Sequence, residues 1–307
     1  MQALLKKIVG RAGAVLAART WNEEANWSDA NWWSSSACLA YYNHAVCGEP
    51  RTLASEGCRV RLAKALRGRV LDRGVSIGCG TGAKEIALLT DGLVQHFDLW
   101  EIAPHIGEVG AKDAAAAGVG DRVTYSIGDA FKTDPNGAYD LVYWDHSLHH
   151  MSDVDGALAW SVAALKPGGF VLIKDYVGPT RLQFSRAEVD RANAFRDRHG
   201  VPGRTAYATP FTRLNQWRRD PSEAPQSELI ADAISARLPG ATLEPIGGTF
   251  LNMLGGAVIP FTRAEDNEIV HALIAEDREL RGDGSYHFAF ALWQKPDVAG
   301  AVGHRAA

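Results

Sequence analysis

The stretch Val75-Ser76-Ile77-Gly78-Cys79-Gly80-Thr81-Gly82-Ala83 carries the decisive pattern of this 307-residue chain. A short apolar run breaks into alternating glycines and then into a segment with Ile86, Leu88 and Leu89 on a helical period. A strand, a glycine turn and a helix in that order let the backbone fold back tightly and let a ligand approach with no Cβ in the way. The helix N-terminus meanwhile offers free N–H groups to a carboxylate or phosphate. The glycine triplet alone is weak evidence, because a purely structural tight turn uses the same residues. Working outward, residues 96–100 read as a second strand, followed by Glu101 nineteen positions after Gly82, where a carboxylate can accept both hydroxyls of a ribose. Together these features favour an adenosine-containing cofactor. A nicotinamide dinucleotide satisfies them too, since Ala83 can stand for the last glycine of its fingerprint.

The alternation continues with a helix over 106–117, strands over 123–127 and 139–144, a helix over 153–165 ended by Lys166-Pro167-Gly168-Gly169, and a buried strand over 170–174. Strands over 242–246 and 288–293 complete the sheet, the second with antiparallel alternation. The predicted fold is α/β: a Rossmann-like, seven-stranded, mainly parallel sheet with helices on both faces. Residues 61–175 form its cofactor-binding core and 241–296 its final strands. Residues 1–60 are expected to be a helical cover, because Trp21, Trp27, Trp32, Trp33, Tyr41 and Tyr42 crowd into it. Residues 176–240, rich in charge, proline and glycine, read as an inserted cap, and 297–307 as a disordered tail.

Bulk properties narrow the function. With 32 basic against 36 acidic residues and a net charge of -4, no basic stripe of the kind a nucleic acid requires is expected. Cys38, Cys47, Cys58 and Cys79 have no close-paired spacing, which argues against a zinc site or disulfide framework and suits a reducing, cytoplasmic setting. Leu4, Leu5, Ile8 and Val9 beside Lys6 and Lys7 read as a surface helix, since Arg11 interrupts the run too early for a targeting or membrane segment.

Gly128-Asp129-Ala130 after the third strand, Tyr139-Asp140-Leu141-Val142 entering the fourth, and Leu165-Lys166-Pro167-Gly168-Gly169 before the fifth add to the glycine turn and Glu101. In order and spacing the whole series resembles the class I S-adenosylmethionine (SAM)-dependent methyltransferases. The resemblance implies that Glu101, with Ile102 beside it, holds the ribose, that Asp129 accepts from the adenine amino group with Ala130 and Phe131 alongside, and that Gly78, Cys79, Gly80 and Gly82 face the methionyl end, with Asp145 bordering the crevice. Tyr176-Val177-Gly178-Pro179-Thr180-Arg181-Leu182-Gln183-Phe184, Asp220-Pro221-Ser222-Glu223-Ala224-Pro225-Gln226-Ser227 and Gly247-Gly248-Thr249-Phe250-Leu251 are similar to a bacterial subgroup that accompanies glycan and natural-product gene clusters. That wider likeness covers about 41 to 296. Lys174 stands where it leads one to expect an acid, and the tryptophan-rich N-terminus has no counterpart in it.

Methyl transfer from a sulfonium is an in-line displacement, so the enzyme must align nucleophile, methyl and sulfur and, for an alcohol, phenol or ammonium, take up a proton. His146, His149 and His150 follow the fourth strand, where such sheets meet their ligand, and are the candidate proton acceptors; capping and packing are the alternative use of that turn. No metal is expected. Trp27, Trp32, Trp33, Tyr41, Tyr176 and Arg181 are candidate substrate contacts, with Arg213, Arg218 and Arg219 as further partners for an acidic substrate. The expected reaction is methylation of an oxygen or nitrogen of a small metabolite or glycan, oxygen preferred. An NAD(P)-dependent oxidoreductase and a non-catalytic SAM-binding protein are the alternatives.

Overall fold

The computed structural model describes residues 31–262 and 267–297. Trp21, Trp27, the segment around Leu4 to Arg11, and 298–307 of the expected tail lie outside them. A seven-stranded sheet runs in the order β3-β2-β1-β4-β5-β7-β6. Its strands are β1 (Leu71–Ile77), β2 (Val94–Glu101), β3 (Val123–Ile127), β4 (Tyr139–Asp145), β5 (Leu165–Tyr176), β6 (Glu244–Gly247) and β7 (Phe288–Gln294). The first five pair in parallel, and β7 runs antiparallel between β5 and β6. An all-parallel dinucleotide-binding sheet ends 1-4-5-6 without such an insertion.

The central strands are apolar on both faces because both faces are covered. Along β4, Leu141 and Tyr143 join one core while Val142 and Trp144 join the other, and in β5 Phe170 and Leu172 alternate in the same way with Val171 and Ile173. Helices α1 (Ser36–Cys47), α2 (Glu56–Leu66), α3 (Ala83–Thr90) and α4 (Pro104–Ala116) precede β3, and α5 (Val154–Ala164) precedes β5. Ser35 opens α1 by accepting from the Cys38 N–H, and Gly48 closes it in the left-handed conformation. Asp153 caps α5 through the Gly156 N–H. The Lys166-Pro167-Gly168-Gly169 turn does stop α5, yet it falls within β5, whose pairing with β4 shifts register between Tyr139 and Leu141.

After β5 come α6 (Arg186–His199), α7 (Pro210–Arg219) and α8 (Ile230–Arg237). Arg191 ties α6 to α10 (Glu268–Gly282) through Glu276 and Glu279. Helix α7 buries none of its residues and leaves Phe211, Leu214 and Trp217 exposed. Within the range 176–240 expected to be a cap, Ile230, Ala233, Ile234 and Leu238 pack into the core beside α5, so α8 belongs to the sheet's helical layer. Helix α9 (Thr249–Thr262) and α10 then lead into β7. No helix among the described residues is long and apolar enough to cross a membrane.

Candidate active site

Where β1, β2, β4 and β5 end, one cavity of about 2290 Å³ opens. A pocket for one small ligand measures roughly 300–1,000 Å³, so there is room for a nucleoside and a second molecule. The glycine turn forms its floor. Gly78, Gly80 and Gly82 all have positive φ, at 66°, 60° and 72°, a region that side chains with a Cβ rarely adopt. A Cβ on Gly80 would meet nothing within 4 Å, so that backbone faces open cavity, whereas one on Gly82 would strike Leu99 at 2.6 Å and the Tyr125 hydroxyl at 2.7 Å. Gly82 was expected to touch a cofactor. It does not line the cavity; it is the N-cap of α3, pressed against β2 and β3. No side chain caps α3, which leaves first-turn N–H groups for a carboxylate.

Glu101, the last residue of β2, is buried beside that turn. Its Oε2 accepts the Gly80 N–H at 3.0 Å, and its Oε1 accepts those of Ile102 at 2.7 Å and Ala103 at 3.1 Å. Burial raises its pKa against the lowering effect of these three bonds. A carboxylate has about four acceptor positions, so capacity remains for a hydroxyl. Asp129 caps a short turn over Ala130–Lys132 by accepting the Phe131 N–H. Cys79, Glu101, Ile102, Asp129, Ala130 and Phe131 all line the same part of the cavity, together with Trp100 and Lys84. All four cysteines are free thiols.

Opposite lies a layer of buried charge. Asp145, at the end of β4, stands 3.2 Å from Lys174 Nζ and 3.3 Å from Lys84 Nζ and accepts the Tyr143 hydroxyl. Burial opposes its ionisation, but the two ammonium groups hold its pKa far below the usual carboxylate range. His146 follows with φ of 57° and packs against Phe288, Trp32 and Tyr42. Burial, and then Lys174, push its pKa well down, which makes it a weak base.

His149 is different. Asp175, beside Lys174 in β5, receives His149 Nδ1 at 2.5 Å and the backbone N–H groups of Ser147 at 2.9 Å and Leu148 at 2.7 Å. Burial raises the Asp175 pKa, but the charge and hydrogen bond of His149 outweigh it and hold the value at about 2. Burial likewise disfavours protonated His149, yet Asp175 and then Glu223 more than compensate, and its pKa lies above 6.5. His149 Nε2 is thereby turned away from Asp175 and toward Glu223, 4.0 Å away. His150 packs on His149 with ring centroids 4.1 Å apart and carries Nδ1 3.2 Å from the Ser222 carbonyl. Burial and then His149 depress its pKa.

Of the expected substrate contacts, Trp32, Trp33, Tyr176 and Arg181 line the cavity. Tyr41 does not: its hydroxyl donates to buried Asp277 at 2.9 Å, and it is Tyr42, next along α1, that faces the space. Arg181 spends its guanidinium on the carbonyls of Pro221 and Glu223, at 2.7 and 2.9 Å, so it holds the 220–225 loop in place. The sequence reading missed Tyr42, Lys84, Asp175 and Glu223, and took Lys174 only as an oddity. Two adjacent charges ending an apolar strand were the available signal, since buried charges must be paired.

A methyltransferase domain model matches residues 75–171, the run from β1 into β5. The chain is 33% identical over 118 residues to 27-O-demethylrifamycin SV methyltransferase of Amycolatopsis mediterranei, covering 38% of this chain and 43% of that protein. It is 34% identical over 116 residues to sterol 24-C-methyltransferase of Yarrowia lipolytica, covering 36% and 28%. The chain thus aligns with less than half the length of these relatives. Residues 75–171 are thus a methyltransferase domain, and the motifs they carry are similar to those of the class I SAM-dependent enzymes. The fold of the chain is similar to that of geranyl diphosphate C-methyltransferase from Streptomyces coelicolor A3(2), at a TM-score of 0.54 and 16% identity over 91% of this chain and 96% of that one. The residues present suit SAM. The open backbone at Gly80, the uncapped start of α3, the remaining acceptor position of Glu101 and the half-exposed Asp129 offer room for a sulfonium side chain and partners for a carboxylate, a ribose hydroxyl and an amino group.

Proposed function

We propose that this protein transfers the methyl group of SAM to an oxygen of a small metabolite, with His149 as the proton acceptor. When bound, SAM supplies an electrophilic methyl on a sulfonium and needs no metal to activate it. The chain's own task is to hold the acceptor, exclude water and take its proton. The observation that carries the reading is the His149–Asp175 pair on the cavity wall. Asp175 fixes the tautomer with Nδ1–H donated to it, so the Nε2 lone pair is the one presented to the cavity. A carbon acceptor would turn cationic only after the methyl arrives and would then also give up a proton to a base, so the base alone does not separate the two and the product decides between them, whereas a neutral amine could shed its proton after transfer. Trp32, Tyr42, Tyr176 and Phe288 offer an apolar, aromatic wall for a ring or chain. Methylation of a natural product or small glycan in the cytoplasm is the setting this reading favours.

The test is a labelled-methyl transfer assay of the purified protein against fractionated metabolites, with products identified by mass spectrometry. An O-methyl product whose formation drops at least about a hundredfold in His149→Gln supports the reading. A C-methyl product formed at full rate by that variant would overturn it.

A further inference from the structure

We propose that His149, His150 and Glu223 form a site for a divalent transition-metal ion on the wall of the acceptor cavity. Each residue offers one ligand atom, and these atoms all lie within 4.8 Å of one another. Two imidazoles and a carboxylate make up the donor set of open zinc and non-haem metal centres. The surroundings favour the same use. Asp175 on His149 Nδ1 is the outer carboxylate that orients a ligating imidazole and raises its basicity, and it leaves Nε2 directed at Glu223. His150 is held against His149 by their shared turn, and its Nδ1 lies 4.0 Å from the second oxygen of Glu223. Glu223 arrives from the inserted region, on a loop anchored through Arg181. All three residues line the large cavity, so coordination positions beyond the protein's three would open into it.

Metal–ligand bonds of about 2.0–2.2 Å place neighbouring donors roughly 3.0–3.5 Å apart. The triad must therefore contract by about an ångström. Glu223, with a side chain 22% exposed, can rotate to supply this, and the ion displaces the Ser222 carbonyl from His150. His149 Nε2 can hold either a proton or the ion, so metal loading and proton acceptance exclude one another and the loaded enzyme is inhibited. That consequence rests on His149 being the base. The metal site does not.

Cobalt(II) titrated into the full chain near neutral pH, in the presence of S-adenosylhomocysteine, should give a visible d–d band saturating at one ion per chain. Glu223→Gln and His150→Gln, checked for folding by circular dichroism, should each weaken it at least about tenfold. X-ray absorption of the zinc-loaded wild-type protein should show imidazole and oxygen neighbours. No band at millimolar cobalt, unchanged affinity in both folded variants, or sulfur neighbours placing the ion on cysteine would each overturn the site. Zinc should also inhibit methyl transfer competitively with the acceptor, reversed by chelator. If cobalt binds as expected while transfer continues undiminished, the metal site stands and His149 is not the base.

Discussion

Oδ1 of Asp175 lies 2.5 Å from Nδ1 of His149, and the same carboxylate accepts the backbone N–H groups of Ser147, Leu148 and Tyr176. One buried side chain therefore shapes the turn after β4 and aims the imidazole that turn carries. Asp175→Ala leaves several buried donors without a partner, at about 1–3 kcal/mol each, so it should lower stability by several kcal/mol in denaturant titration. Asp175→Asn keeps one carbonyl oxygen where both carboxylate oxygens accept backbone N–H groups, so its amide must face some of those donors and it too should lose stability. Its kcat, measured on the folded protein, should fall at least about tenfold, and a kcat equal to wild type would contradict the aiming role.

The rate should also report the charge on His149. Asp175 and Glu223 favour its protonated form, against burial and Lys84, and hold its pKa above 6.5. A base must be neutral to act, so kcat should rise with pH through that elevated value and level off beyond it. In Glu223→Gln, assayed with chelator present, the midpoint should move downward because one of the stabilising charges is gone. A midpoint that stays put would remove Glu223 from the neighbourhood of the base.

Cofactor affinity should depend on Glu101. Glu101→Gln keeps one carbonyl acceptor, so either Gly80 or the Ile102 and Ala103 pair faces its amide, and it loses charge-assisted bonding to a ribose. SAM binding measured calorimetrically should weaken by about 1.5–3 kcal/mol, with folding of the variant checked by its melting temperature. Affinity equal to wild type would mean that the carboxylate serves the turn alone.

Much of this was legible in the sequence, and the reasons differ by residue. Gly78 to Gly82 and Glu101 stand out because a strand, a tight turn and a helix follow each other within one short segment, where local period and glycine content suffice. Asp175 could have been read from its place beside Lys174 at the end of an apolar strand. Glu223 could not, because its position depends on a loop with Ala224 at a φ of 46°, held from 40 residues away by Arg181. Tyr41 and Tyr42 were inseparable for another reason. Consecutive helical residues diverge by about 100°, and α1 is covered on more than one side, so apolar periodicity does not say which of the two looks into the cavity.

That pair gives a clean contrast. The Tyr41 hydroxyl donates to Asp277, which also accepts the Gly248 and Phe250 N–H groups and so anchors the start of α9. Tyr41→Phe removes a buried bond to a charged group and should cost about 1.5–3 kcal/mol of stability, leaving kcat and acceptor KM unchanged once the protein is folded. The Tyr42 hydroxyl is buried with no hydrogen-bond partner among the described residues, and its ring packs against Trp32, Phe288 and His146. Tyr42→Phe keeps that packing and should leave stability equal or slightly higher, because a polar group without a partner is no longer buried. If the cavity receives the acceptor beside this hydroxyl, the same variant should raise KM several-fold with SAM affinity intact. Denaturant titration and steady-state kinetics on the two variants separate a structural tyrosine from one that meets substrate, and a stability loss in Tyr42→Phe as large as that in Tyr41→Phe would refute the assignment.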